Sequence, residues 1–110
     1  MPSLRELQPW LKPYAEYLIT VAAHNGLGPV SINSVYRSRQ SQEVLYDRYL
    51  RGASRYPVAP PGRSLHEHRL AFDINVRQGS SSPQQTALGH FWRSMGGQWS
   101  ESDRVHFYVR

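Results

Sequence analysis

The spacing of apolar residues along the chain predicts three helices. Apolar side chains recur three and four positions apart in three segments, as expected for helices with one buried face. A Ser-x-x-Glu capping box opens the first segment, proline occupies the first helical position of the third, and glycines follow all three. The predicted helices run from Leu4 to Asn25, with limits or kinks at Pro9 and Pro13, from Ser38 to Leu50, and from Ser82 to about Met95. The second helix is expected to turn Val44, Leu45 and Tyr49 inward.

Strict alternation of apolar and polar residues predicts three strands between these helices. They are expected at residues 30–34, 70–76 and 104–109. Residues 53–63 hold three of the eight prolines, so this segment is predicted to be a loop. The order of elements predicts a small α+β fold with a mostly antiparallel sheet, two or three helices and one domain spanning residues 1–110.

Composition limits the class of protein. Its 110 residues, 39% of them hydrophobic, suffice for one modest core. No apolar run reaches the roughly 18 residues that a membrane helix needs, so no membrane partner is expected. Glu6 and Gln8 lie where a signal peptide would be apolar, and we therefore expect no export signal. The absence of cysteine excludes disulfides, cysteine nucleophiles, iron–sulfur clusters and cysteine-bound zinc.

The net charge of +5 indicates a polyanionic partner or environment. Nucleic acid is the usual partner of such a protein. The arginines are scattered, however, and no recognisable nucleic-acid-binding module is present, so we expect no nucleic-acid partner. The polymers of the bacterial cell wall are also polyanionic, and charge alone does not choose between the two.

Two stretches carry candidate chemistry. His66 precedes the second predicted strand and Asp73 lies inside it, among Phe72 and Ile74. An unpaired carboxylate there would be costly to bury, so an arginine partner or a sheet edge is the simpler explanation of Asp73 taken alone. In the second stretch, Asp103 stands three residues before His106. A structural, hydrogen-bonded histidine is the simpler explanation of His106 alone.

Taken together, these residues have the composition of a catalytic zinc site. Such a site uses three nitrogen or oxygen ligands and leaves a fourth position for water. Two histidines and an aspartate from separate strands meet that requirement. Asp103 remains as a spare carboxylate that could accept the proton of an activated water. His68 is a rival ligand, because it lies two residues after His66 and on an extended chain both side chains would point the same way. We expect it at the rim of the site.

The motifs resemble those of the LAS-type zinc peptidases, which include D-alanyl-D-alanine carboxypeptidases and phage L-alanyl-D-glutamate endopeptidases. The family signature is Ser-x-His, six residues and Asp, with Ala two before the Asp, followed by Asp or Glu-x-x-His. A turn of the form aromatic-Arg-Ser, followed by Gln, is a further element. The matching residues, within a resemblance that spans roughly residues 15–108, are Tyr36, Arg37, Ser38, Gln42, Ser64, His66, Ala71, Asp73, Asp103 and His106.

The resemblance implies a role for each matched position. His66, Asp73 and His106 would bind Zn²⁺, and Asp103 would be the general base. Arg37 would stabilise the oxyanion or hold a substrate carboxylate, although a surface arginine is the simpler reading of its position alone. Ser64 and Gln42 would line the substrate groove, with a local cap or turn hydrogen bond as the alternative for each.

Two positions depart from the family pattern. The family usually has Gly where this chain has Arg69, and often Pro where it has Val105. Arg69 is strained if its position requires a positive φ, which would point to a degraded site. We expect instead that the loop differs from the family's.

The resemblance implies a monomeric hydrolase of peptidoglycan stem peptides. The short chain, the expected lack of a signal and the basic charge suit a phage or prophage endolysin, held in the host cytoplasm until it is released to the cell wall or periplasm. One alternative is an inactive zinc-containing binding protein on the same scaffold, and the other is a nucleic-acid-binding domain.

Overall fold

The structure is a computed structural model that describes residues 1–54 and 57–110. Within those residues it contains a short 3₁₀ helix at Leu4–Glu6, three α-helices and four strands. The helices are α1 (Lys12–His24), α2 (Arg39–Leu50) and α3 (Pro83–Ser94), and the strands are β1 (Ser31–Ser34), β2 (Ala71–Asn75), β3 (Gln98–Ser100) and β4 (Asp103–Tyr108). The predicted α+β class is confirmed.

The strands form one antiparallel sheet in the order β1-β2-β4-β3. Alternation of side chains gives it an apolar face, where Phe72 lies opposite Phe107. The other face is polar, and there Asp73 pairs with both His106 and Ser34. A shift of register between Ile32 and Ser34 places Ser34 beside Asp73. The same alternation thus assigns one face to the core and the other to a cleft.

The core lies between the apolar face of the sheet and the helices α1 and α3. The ring of Trp92 on α3 meets Phe72 edge-on, with centroids 5.2 Å apart. Gly89 lets Trp99 of β3 approach α3, because a Cβ at position 89 would lie 2.1 Å from the Trp99 ring. This contact fixes β3 and therefore the start of β4, where Asp103 lies.

The predicted first helix is divided in the structure. Its capping box forms only a 3₁₀ turn, in which the Ser3 hydroxyl accepts a hydrogen bond from the Arg5 amide. The α-helix begins at Lys12, with Pro13 in its first turn. Proline lacks an amide proton and is tolerated only at the start of a helix, so Pro9 and Pro13 separate the two segments.

The prediction for the inner face of α2 is wrong. Val44 is 54% exposed and Tyr49 38% exposed, whereas Gln42 is the buried residue of this helix. The reason is that α2 borders the cleft, with Gln42 and Leu45 in its wall, instead of covering the apolar face of the sheet. No helix in the described parts of the chain is long and apolar enough to cross a membrane.

Candidate metal centre and catalytic cleft

Three side chains from two adjacent strands and a preceding turn meet on the polar face of the sheet. His66 Nε2 and His106 Nδ1 each lie 3.1 Å from Oδ1 of Asp73. One ligand atom from each residue lies within 4.8 Å of the other two, which suits a common metal ion. His66 is buried, while Asp73 and His106 are partly open to the cleft. The structure therefore brings the three predicted ligands together.

The hydrogen bonding of His66 favours a cation at this point. Its Nδ1 lies 2.7 Å from the backbone oxygen of Val35, which can only accept, so Nδ1 carries the proton. In the neutral ring Nε2 then carries a lone pair, yet it faces Oδ1 of Asp73, which also carries lone pairs. A second proton or a metal ion between these two atoms would remove their repulsion. Val35 thus selects the tautomer that leaves Nε2 free to bind a metal.

The environment of Asp73 keeps it ionised. Burial alone would raise its pKa, but hydrogen bonds from His106 and His66 and the charges of these rings lower the pKa to about 2. The arginine partner that sequence reasoning considered for Asp73 is not among the ion pairs of the described residues. The carboxylate is therefore available to a metal over the whole physiological pH range.

The lowered pKa of Asp73 predicts a pH dependence of stability for the metal-free protein. A carboxyl whose pKa falls on folding contributes stability that is full above its unfolded pKa of 3.8 and is lost as the pH falls through about 2. The free energy of unfolding of wild type minus that of Asp73→Asn should therefore be about 2 kcal/mol larger at pH 5 than below pH 2. Urea titrations of chelator-treated protein at the two pH values test this. A constant difference would show that Asp73 is not held ionised by the two histidines.

Asp103 lies at the start of β4, on the rim of the same cleft. Its side chain is partly exposed, and no hydrogen bond of this side chain is found in the described structure. The surrounding protein still removes part of its water, which raises the pKa of Asp103; the positive charge of His106 counteracts this, and the negative charge of Asp73 raises the pKa further. Asp103 therefore lines the same cleft as the three ligands without belonging to the ligand cluster.

Arg37 directs a guanidinium into the cleft from the turn between β1 and α2. Its Nη1 donates to Oε1 of Gln42 and its Nη2 to the hydroxyl of Ser34. Its backbone amide donates to the oxygen of His66, which joins the arginine to the metal-binding turn. The guanidinium has five N–H donors, so further donors remain for a ligand.

Gln42 and Ser64 lie in the cleft wall, where both make the local hydrogen bonds considered as alternatives. The amide of Gln42 is 1% exposed; its oxygen accepts from Arg37 and its nitrogen donates to the oxygen of Ala59. The Ser64 hydroxyl accepts from the amide of His66. The structure therefore supports a positioning role for Gln42 and Ser64, and substrate contact by either remains a prediction.

His68 lies outside the metal cluster. Its side chain is exposed and its Nε2 lies 3.1 Å from the oxygen of Gly62. Arg69, in contrast, has a positive φ of 61°, so the condition for a strained backbone at this position is met. The expected difference between this loop and the family's stays a prediction.

Sequence reasoning missed Tyr108 and Arg104, which both line the cleft. Tyr108 lies two residues after His106 on the same face of β4, with its ring centroid 4.7 Å from that of His106. This spacing could have identified it. The Arg104 side chain donates to the oxygens of Ser80 and Ser82 and to Thr86, tying the strand that begins at Asp103 to the start of α3. No sequence motif marks that role.

A family model described as VanY, D-alanyl-D-alanine carboxypeptidase, matches residues 5–109. The chain belongs to this family. The predicted membership of the LAS-type peptidases is thereby confirmed. No curated protein sequence matches the chain.

Solved structures share the fold across 94% of this chain. The LD-carboxypeptidase LdcB is 21% identical with a TM-score of 0.76, and 58% of its length is covered. The L,D-carboxypeptidase DacB from Streptococcus pneumoniae is 24% identical with a TM-score of 0.72 and 66% covered. The D,D-pentapeptidase VanY in complex with Zn(II) is 22% identical with a TM-score of 0.71 and 72% covered. The chain thus spans less than two thirds of the length of LdcB and DacB.

Proposed function

We propose that this protein is a zinc-dependent peptidase that hydrolyses an amide bond in the stem peptides of bacterial peptidoglycan. The observation that carries the proposal is the meeting of His66, Asp73 and His106 in one cleft with Asp103 and Arg37. The Zn(II) complex of the related VanY supports zinc as the metal. Two imidazole nitrogens and one carboxylate oxygen form a donor set that suits zinc and leaves room for a water.

The residues of the chain divide the catalytic work. Bound zinc would act as a Lewis acid and lower the pKa of a water molecule. Asp103, which lines the same cleft outside the ligand cluster, would take the proton of the attacking water and deliver it to the leaving amine. Arg37 would stabilise the negative charge that develops on the carbonyl oxygen or hold a carboxylate of the substrate. Gln42 and Ser34 hold the guanidinium in place for this task.

The cleft suits a peptide that carries carboxylates. It has a volume of about 810 Å³, and Arg37, Arg63 and Arg110 are among its lining residues. LdcB is described in terms of peptidoglycan recognition, and a VanY relative is described in complex with D-alanine-D-alanine. Both descriptions support a stem peptide as the substrate of this protein.

We further propose that the protein acts as a phage or prophage endolysin, monomeric and without a nucleic-acid partner. The basic charge supports work at a polyanionic wall. The bond cleaved would be either the terminal D-alanyl-D-alanine bond or the L-alanyl-D-glutamate bond. The alternative, an inactive zinc-containing protein, is disfavoured by Asp103, which a purely structural metal site does not need.

Digestion of purified peptidoglycan tests the activity and identifies the bond. For a carboxypeptidase, mass spectrometry would show the loss of one alanine from pentapeptide stems. For an L-alanyl-D-glutamate endopeptidase, it would show released stem peptides that lack their L-alanine. Asp103→Ala is the matched control and should leave the wall material unchanged. If zinc-loaded wild type also leaves it unchanged, the proposed activity is refuted.

The metal itself can be tested without a substrate. We expect one zinc ion per chain after purification without chelators or a histidine tag, because three ligand atoms converge. A ligand that binds only the folded state stabilises it by mass action, so removal of zinc should lower the melting temperature. Elemental analysis and thermal melts with and without chelator measure both effects. Protein that lacks any transition metal and melts identically with chelator would contradict the assignment.

A further inference from the structure

The backbone at Arg69 adopts a conformation that is rare for a residue with a Cβ. Arg69 is the residue other than glycine with a positive φ among the described residues. The left-handed conformation costs a residue with a Cβ about 1 kcal/mol or more, and such strain persists only where surrounding contacts hold it. Arg69 lies three residues after His66, in the same turn.

The side chain of Arg69 joins two other segments of the chain. Its guanidinium lies over the ring of Tyr36, with Cζ 4.0 Å from the ring centroid. Its Nη1 also donates to the backbone oxygen of Glu6, at 2.9 Å. Arginine can do both at once, because its planar group stacks on a ring while its edge donates hydrogen bonds.

Backbone contacts complete the same junction. The amide of Gln8 donates to the oxygen of Arg69, and the side-chain nitrogen of Gln8 donates to the oxygen of His68. The carboxylate of Glu6 accepts from the amide of Tyr36. The N-terminal segment, residues 4–8, therefore binds both the turn that carries His66 and the turn that carries Arg37.

The two turns also contact each other directly at the active site. Val35 accepts from His66 Nδ1, and the oxygen of His66 accepts from the amide of Arg37. Residues 35–37 thus lie between the metal-binding turn on one side and the N-terminal segment on the other. Arg69 belongs to the metal-binding turn, and its side chain contacts both Tyr36 and the N-terminal segment.

We infer that Arg69 is a positioning residue: its contacts with Tyr36 and Glu6 hold the turn of residues 66–69 against residues 35–37 and so keep His66 Nε2 aimed at the metal position. The proposal rests on the proposed function only in assuming that this centre binds zinc. The strained backbone is then maintained because the side chain at this position has a task that glycine could not perform.

The test measures zinc affinity by competition with a chromophoric chelator and records the absorption spectrum of the Co²⁺-substituted full chain. Arg69→Gly removes the clamp and also relieves the positive φ, so the variant should fold. We expect its zinc affinity to fall about 10–100-fold, the range for partners that orient a metal ligand. The Co²⁺ spectrum should also change, and Arg69→Lys should lie in between.

Tyr36 provides an independent variant pair. Tyr36→Phe keeps the ring under the guanidinium and should bind zinc within twofold of wild type, whereas Tyr36→Ala should lose affinity as Arg69→Gly does. Arg77→Gly is the matched control, because Arg77 also joins two segments, through the oxygens of Gly26 and Gly28, but its hydrogen bonds reach neither residues 35–37 nor residues 66–69. Its zinc affinity should equal that of wild type.

Two results would overturn the inference. One is an unchanged zinc affinity and Co²⁺ spectrum in Arg69→Gly and Tyr36→Ala. The other is an equal loss of affinity in Arg77→Gly, which would mean that general destabilisation is responsible. If wild type lacks peptidase activity while the zinc affinity and spectrum shift as expected, the proposed function fails and the role of Arg69 stands.

Discussion

Asp103→Asn is expected to retain zinc and to lose about 10²–10⁴-fold in the rate of peptide hydrolysis, the range for a lost general base. The reason lies in the separation of roles among the carboxylates. Asp103 lines the cleft but does not belong to the cluster of ligand atoms. Asparagine has the size of aspartate but cannot take the proton of a water molecule. Turnover of a stem peptide and zinc content are measured on the same preparation.

Asp73→Ala is the counterpart of this variant and should lose zinc and activity together. Asp73 Oδ1 is within 3.1 Å of ring nitrogens of both histidines, so its removal leaves two of the three ligands. If the Asp103 variant lost its metal while the Asp73 variant retained it, the assignment of ligand and base would be reversed. Full activity of Asp103→Asn would show that another group takes the proton.

The positions of the ligands could be predicted from the sequence because a strand permits only two directions for a side chain. Asp73 alternates with Phe72 and Ile74, so it had to face away from the core. His106 alternates with Phe107 in the same way. The family motif then supplied what alternation could not, namely that these side chains meet at one metal ion.

Other features depend on contacts between distant residues and could not be predicted in this way. β3 has three residues, too few for a periodic pattern, and Trp99 is placed by the gap that Gly89 leaves in α3. The apolar residues of α2 suggested an inward face, but the cleft lies beneath this helix and Gln42 is the residue buried there. The conformation of Arg69 depends on Tyr36 and on Glu6, which is 63 residues away.

Arg37→Ala is expected to slow hydrolysis by about 3 kcal/mol of barrier, or roughly 10²-fold, as for a lost oxyanion donor. An anionic tetrahedral state and the carboxylates of the substrate both need a fixed positive group beside the metal. The guanidinium is fixed by Gln42 and Ser34, so little reorganisation is needed when charge develops. Arg37→Lys keeps the charge but loses the two-donor geometry, and its rate should lie between those of wild type and Arg37→Ala.

Arg39 is the matched control for Arg37. It lies two residues further on, at the start of α2, and is exposed near Gly62 without lining the cleft. Arg39→Ala should therefore hydrolyse peptidoglycan at the rate of wild type. The measurement is the release of new amino groups from purified cell walls at equal zinc content, with thermal melts to account for the buried Gln42 oxygen that Arg37→Ala leaves unpaired. Equal rates for Arg37→Ala and wild type would remove Arg37 from the mechanism, and a larger loss in Arg39→Ala would assign its role to the neighbouring arginine.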